Sequence, residues 1–129
     1  MLKSLFKRSA IYATSTVLLL ASQASFAGDK YGAIAYSLEE GVYGYAVDYD
    51  SRDEAEDVAL DECVKLLESD ETECVVELWF KNAYGVLAEG DNGFGTGYGT
   101  YRQDAQLMAL ENCKKYTENC DISLTIGTE

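Results

Sequence analysis

The 129 residues include no histidine and no proline. The first absence removes the side chain most used for proton transfer near neutral pH, and with it a common zinc ligand. The second leaves nothing to break a helix or a sheet ladder from within. Basic residues are also scarce, 10 against 23 acidic ones. So negative a chain is poorly suited to nucleic acid or to an anionic membrane surface. Long apolar runs are missing too. The uncharged stretch from Ala10 to Ala21 is interrupted by Thr14, Ser15 and Thr16. It falls short of the roughly 20 apolar residues that a spanning helix needs.

That stretch fits an export signal instead. Lys3, Lys7 and Arg8 give a positive start, Val17–Ala21 an apolar centre, and Ser25-Phe26-Ala27 small residues at its first and third places. This is the order of a secretory signal peptide cut after Ala27. No cysteine lies near the cut, which argues against a lipid anchor. The chain left is 28–129, long enough for a single domain. It keeps 7 basic and 23 acidic residues, a net charge of −16. Its expected location is the periplasm or the exterior, with no membrane span in the mature chain.

Four cysteines are present: Cys63, Cys74, Cys113 and Cys120. An even count in an exported chain reads as disulfides, with three pairings open to counting alone. Zinc fits poorly, since the spacings are ten and six residues where ligand pairs usually stand closer.

The mature sequence reads twice. "YGAIA" at Tyr31–Ala35 returns as "YGVLA" at Tyr84–Ala88, and "GYA" at Gly44–Ala46 as "GYG" at Gly97–Gly99. "EAEDVALDEC", ending at Cys63, returns as "DAQLMALENC", ending at Cys113. "CVVELWF" from Cys74 returns as "CDISLTI" from Cys120. A period near 50 marks a repeated supersecondary unit, and two such units are too few for a solenoid. The expected fold is α+β: two tandem strand-strand-helix-strand repeats, about 31–80 and 82–126, packed as one globular domain with antiparallel sheet and two helices.

Each unit opens with two short strands around a turn, Tyr31–Ser37 with Tyr43–Tyr49 and Tyr84–Ala88 with Phe94–Tyr101. A helix follows. Ser51 and Glu54 form a capping box in the first unit. Ala55, Val58, Ala59, Cys63 and Leu66 make an apolar stripe, repeated by Ala105, Met108, Ala109, Cys113 and Tyr116. A third strand begins at each later cysteine. One cysteine of each unit thus sits on the helix stripe and the other opens the next strand, which predicts Cys63–Cys74 and Cys113–Cys120.

The stretch "GDNGFGTGYGTY" from Gly90 to Tyr101 has glycine at every second position from Gly93. The dinucleotide fingerprint needs G-x-G-x-x-G, and a phosphate loop needs a lysine, so neither fits. As a strand, the stretch has one face bare, open to close approach by a helix or another strand. Asp91-Asn92-Gly93 lacks the later acid of a calcium loop and fits a turn.

"YGAIAYS", "YGYAVDYDSRDEAEDVALDEC", "WFKNAYGVLA", "GFGTGYG" and "DAQLMALENC" resemble an exported bacterial family known as domain of unknown function 4189. The likeness runs from about Tyr31 to Ile126. It implies a small periplasmic or secreted domain with paired repeats and disulfides, and it supplies no catalytic residue to carry over. The family pattern has a cysteine where this chain has Tyr84 and another near Gly127, both absent here.

Three functional classes are open to such a chain. An enzyme would lack histidine and, with both bridges formed, a free thiol. Carboxylates could serve glycoside hydrolysis, but most fall on a predicted solvent face of a helix. An acidic binding module suits a basic protein partner, such as a cationic lysozyme or toxin held by an inhibitor or immunity protein. Asp53, Glu56, Asp57 and Asp61 on the first helix would attract it, with Tyr36, Tyr43 or Tyr101 as anchors. The alternative is an envelope-associated structural protein with no tight partner. No cofactor or metal is expected.

Overall fold

The structure, a computed structural model, describes residues 28–128; the expected signal segment lies outside them. Eight elements follow in order: β1 (Tyr31–Ser37), β2 (Val42–Tyr49), α1 (Arg52–Val64), β3 (Val75–Lys81), β4 (Tyr84–Glu89), β5 (Phe94–Gly99), α2 (Arg102–Lys114) and β6 (Asp121–Gly127). The strand-strand-helix-strand plan is used twice.

The antiparallel strands divide into two sheets, one per repeat, in the orders β2-β1-β3 and β5-β4-β6. β1 and β4 are the central strands, and both their faces are covered. The faces of β1 separate by period two. Ala33 and Ala35 pack with Ala46 against Ala55, Ala59 and Cys63 of α1. Ile34 and Tyr36 turn the other way and meet Phe80 and Leu87 in a core shared by both repeats. Val86 and Ala88 of β4 face Ala105, Ala109 and Cys113 of α2. The layers therefore run helix, sheet, sheet, helix.

Local chemistry explains the helices. Ser51 caps α1, its hydroxyl accepting the Glu54 amide at 3.2 Å. Tyr101 occupies the same place before α2 and makes no side-chain cap bond. Only small side chains are buried on each helix, three apiece, so each helix lies close to its sheet. Leu66 and Tyr116, expected on the buried stripes, are 53% and 74% exposed because both helices end before them.

The bare strand face has a definite neighbour. A Cβ on Gly95 would stand 2.2 Å from the Cys113 amide nitrogen and 2.6 Å from the Ala109 carbonyl oxygen. One on Gly44 would stand 2.3 Å from the Cys63 nitrogen and 2.4 Å from the Ala59 oxygen. Helix backbone occupies the space in both repeats. These matching contacts correct the expected alignment, since Gly44 corresponds to Gly95 rather than to Gly97. The first hairpin runs one pair further, to Ser37 and Val42, where the second turns directly at Glu89 and Phe94, the counterparts of Tyr36 and Tyr43. A shift between Tyr31 and Ala33 then admits an extra residue in β2, where Asp48 takes a positive φ of 67°.

Both expected disulfides are present, Cys63–Cys74 and Cys113–Cys120, with Cα atoms 6.1 and 6.2 Å apart and no free cysteine among the described residues. Closing loops this short stabilises by about 2–3 kcal/mol each. The hairpin tips are tied to these loops as well. Glu40 accepts the amides of Glu68 and Ser69 at 2.8 and 3.2 Å and the Thr72 hydroxyl. These bonds, Thr72 first, hold its carboxyl below the usual range. In the second repeat the Asn119 amide donates to Asp91 at 2.8 Å, and the Thr117 hydroxyl to Asn92 at 2.8 Å. β6 docks fully, with Gly127 opposite Tyr84 and under its ring.

Candidate functional site

The duplication supplies its own control. Two copies of one packing scheme stand side by side, so a feature found in only one copy is not demanded by the scheme. Charge is such a feature. Residues 31–80 carry fifteen acidic and two basic side chains, while 82–126 carry six and three. The matched cysteines and alanines of α1 and α2 are offset by 50, so Asp53, Glu56, Asp57 and Asp61 correspond to Gln103, Gln106, Leu107 and Glu111. Three of the four acids have uncharged counterparts on an equally well-packed helix.

On α1, Asp53, Asp57 and Asp61 recur at four-residue steps along the exposed side. Like charges so spaced oppose helix formation by about 0.2–0.5 kcal/mol a pair. Asp53 and Asp57 have no side-chain hydrogen bond or ion pair among the described residues. Asp61 lies 4.0 Å from the Lys65 ammonium, which sits nearer Glu62 at 3.1 Å. Glu56 differs from the other three. Its carboxylate accepts the Arg52 guanidinium at 2.9 Å, and that guanidinium lies 4.3 Å from the centre of the Trp79 ring. Glu56 thus belongs to a local stack and offers little free charge.

The three tyrosines separate. Tyr36 is 4% exposed and is not a surface anchor: it lies on a central strand covered on both faces. Its hydroxyl donates to Glu89 at 2.6 Å, and its ring sits 4.5 Å from that of Phe94. Burial first, and then the Glu89 bond, push the phenol above its ordinary range. Tyr43 is half-buried and donates to the Ser123 carbonyl at 3.4 Å. Tyr101 is 69% exposed, but it caps α2 in the other repeat. Tyr45, at 45%, is a further exposed tyrosine of the first repeat, on the edge strand β2 and outside the expected anchors.

A groove runs between each helix and the outer edge of its sheet. In the first repeat Tyr43, Tyr45, Tyr49, Val58, Glu62 and Leu66 line a space of about 810 Å³. The equivalent space in the second, about 420 Å³, is lined by Phe94, Thr96, Asn112 and Tyr116, with Leu38 and Glu77 reaching in from the first repeat. Desolvation there raises the Glu77 carboxyl above its ordinary value. A raised carboxyl favours the folded state below the unfolded value and loses that contribution as pH rises through the folded one. Glu77→Gln is therefore expected to raise the melting temperature slightly at pH 7, with the gain disappearing below pH about 4. Thermal melts at the two pH values check this.

The described residues hold no cluster of histidine, cysteine, aspartate or glutamate arranged for a metal ion. Asp91 and Asn92 are engaged by the loop at Thr117–Asn119. No described helix is long and apolar enough to cross a membrane. The two disulfides suit an oxidising compartment. Neither a curated protein nor a solved structure matches the chain. A family model does match, from residue 31 to residue 126, and so takes in both repeats from β1 almost to the end of β6. The chain belongs to the family described as a domain of unknown function, DUF4189.

Proposed function

We propose that this is a small exported binding module, not an enzyme, whose acidic first repeat captures a basic protein, as an inhibitor or immunity protein would capture a cationic envelope enzyme or toxin. One observation carries the reading. On two copies of the same scaffold, the first helix holds a row of exposed aspartates that the second does without, at some cost in helix stability. Acidity that folding does not require serves something outside the fold, and a concentrated negative face speeds encounter with positive partners. The signal-like first residues and the paired cysteines support a periplasmic or secreted location.

Capture from a periplasmic extract on immobilised protein tests the reading. A basic protein should be retained at low salt and released as ionic strength rises, and a variant with Asp53, Asp57 and Asp61 changed to asparagine should not retain it. Retention of no basic protein, or retention that the variant shares, would overturn it in favour of a structural role in the envelope.

A further inference from the structure

We propose that the groove between α1 and the outer edge of β2 takes an extended cationic segment of the partner, which lies as an added strand beside β2 and sets a lysine or arginine against Glu62. This rests on the binding reading above and gives it a site.

The second repeat shows what the groove looks like when it is closed. The Asn112 side-chain amide donates to the Thr96 carbonyl at 2.7 Å, and Lys115 donates to Asn112 at 3.2 Å. Counting along the ladder from the Gly90–Gly93 bond of 2.9 Å, alternation turns the Thr96 N–H and C=O outward from β4. Asn112 therefore satisfies an edge carbonyl that would otherwise face solvent. Leu38 and Glu77 of the first repeat cover the same space from the side.

In the first repeat the lysine contact recurs, Lys65 donating to Glu62 at 3.1 Å, but the bond to the edge carbonyl and the cover from the other repeat do not. Glu62 stands where Asn112 stands, and Tyr45 where Thr96 stands, since Ile34 pairs Tyr45 as Leu87 pairs Thr96. A carboxylate has no hydrogen to donate, so the edge carbonyl and the side chain opposite it are both acceptors. The lining of this groove comes from the first repeat alone, and its volume is about twice that of its counterpart. Lys65 meets Glu62 at 3.1 Å, but both side chains are more than half exposed, so an incoming cation can replace that contact.

Three properties select the occupant. An outward edge carbonyl calls for a main-chain N–H, as in strand addition. Glu62, with Asp57 and Asp61 beside it on α1, calls for positive charge. The ring of Tyr49 and the side chain of Leu66 suit the alkyl stem of lysine or the plane of arginine.

The test is a titration of the oxidised, 15N-labelled protein with the capped peptide Lys-Val-Lys-Val-Lys, followed by amide chemical shifts. Saturable shifts are expected at Gly44–Ala46 and Val58–Leu66, with none at Gly95–Gly97 and none from Glu-Val-Glu-Val-Glu. Glu62→Asn, which installs the side chain of the closed groove, should weaken the lysine peptide by about tenfold or more and leave the remaining spectrum in place. Equal shifts in both grooves, or Glu62→Asn binding as tightly as the parent, would overturn the groove. Salt-sensitive binding that Glu62→Asn leaves unchanged would do so while sparing the acidic-face reading. Peptide binding at β2 without capture of any basic protein would support the groove and count against that reading.

Discussion

Gly95→Ala is expected to cost more stability than any other single methyl group added to the strands of the second repeat. The new Cβ would enter at 2.2 Å from the Cys113 nitrogen, 2.6 Å from the Ala109 oxygen and 2.7 Å from the Asn112 carbonyl carbon. All three are helix backbone, so no side chain can swing aside. α2 would have to lift, and lifting it uncovers Ala105, Ala109 and Cys113 together. Overpacking of this kind costs about 1–3 kcal/mol and sometimes more. Gly44→Ala meets the same obstacle under α1 and should behave alike. Gly99→Ala is the control. Its Cβ would find ordinary contacts at 3.4 Å, and the change should fall within about 0.5 kcal/mol. Urea denaturation of the three variants checks the ranking, and equal small losses would contradict the close helix approach.

Phe80→Ala is expected to remove about 3–5 kcal/mol. Phe80 is 2% exposed and lies in the core shared by the two repeats. Its ring fills the space in front of two glycines, where a Cβ would come within 2.3 Å of it on Gly32 and 2.2 Å on Gly85. Gly32 is its cross-strand neighbour in the first sheet, and Gly85 belongs to the second. One ring therefore bridges both sheets. Trp79, the next residue, faces the other way, stacks with Tyr31 and Arg52, and is 40% exposed. Trp79→Ala should cost clearly less. Melting temperatures separate the two, since each kcal/mol moves a domain of this size by about 4–8 °C.

Much of this architecture can be read from the chain. The repeat spacing, the Ser51 cap and the helix-to-strand cysteine pairs are local signals, and the structure contains all three. The strand register could not be read in the same way. An extra strand pair at the first hairpin and the extra residue at Asp48 shift the second strand, and similarity of "GYA" to "GYG" points to the wrong partner glycine. Tyr36 misleads for a different reason. Alternation assigns one face of a strand to solvent, but β1 is central in its sheet and buried on both faces. The groove depended on pairing Glu62 with Asn112 and Tyr45 with Thr96, and that pairing needs the corrected register. The charge contrast is visible in the sequence, at the positions where the repeats differ rather than where they agree.

The claim that the first repeat is acidic for binding and not for folding can be tested in one measurement. Asp53, Asp57 and Asp61 are changed together to asparagine, and the melting temperature and the association rate with a basic protein retained from the extract are recorded at about 20 and 150 mM salt. Screening already shortens electrostatic reach to about 8 Å at the higher value. The expected result is an association rate about tenfold or more lower at 20 mM, a much smaller difference at 150 mM, and a melting temperature unchanged or slightly higher as like-charge repulsion along α1 is relieved. A variant that melts lower while associating as fast as the parent would show that the aspartates serve the fold, and would contradict the account.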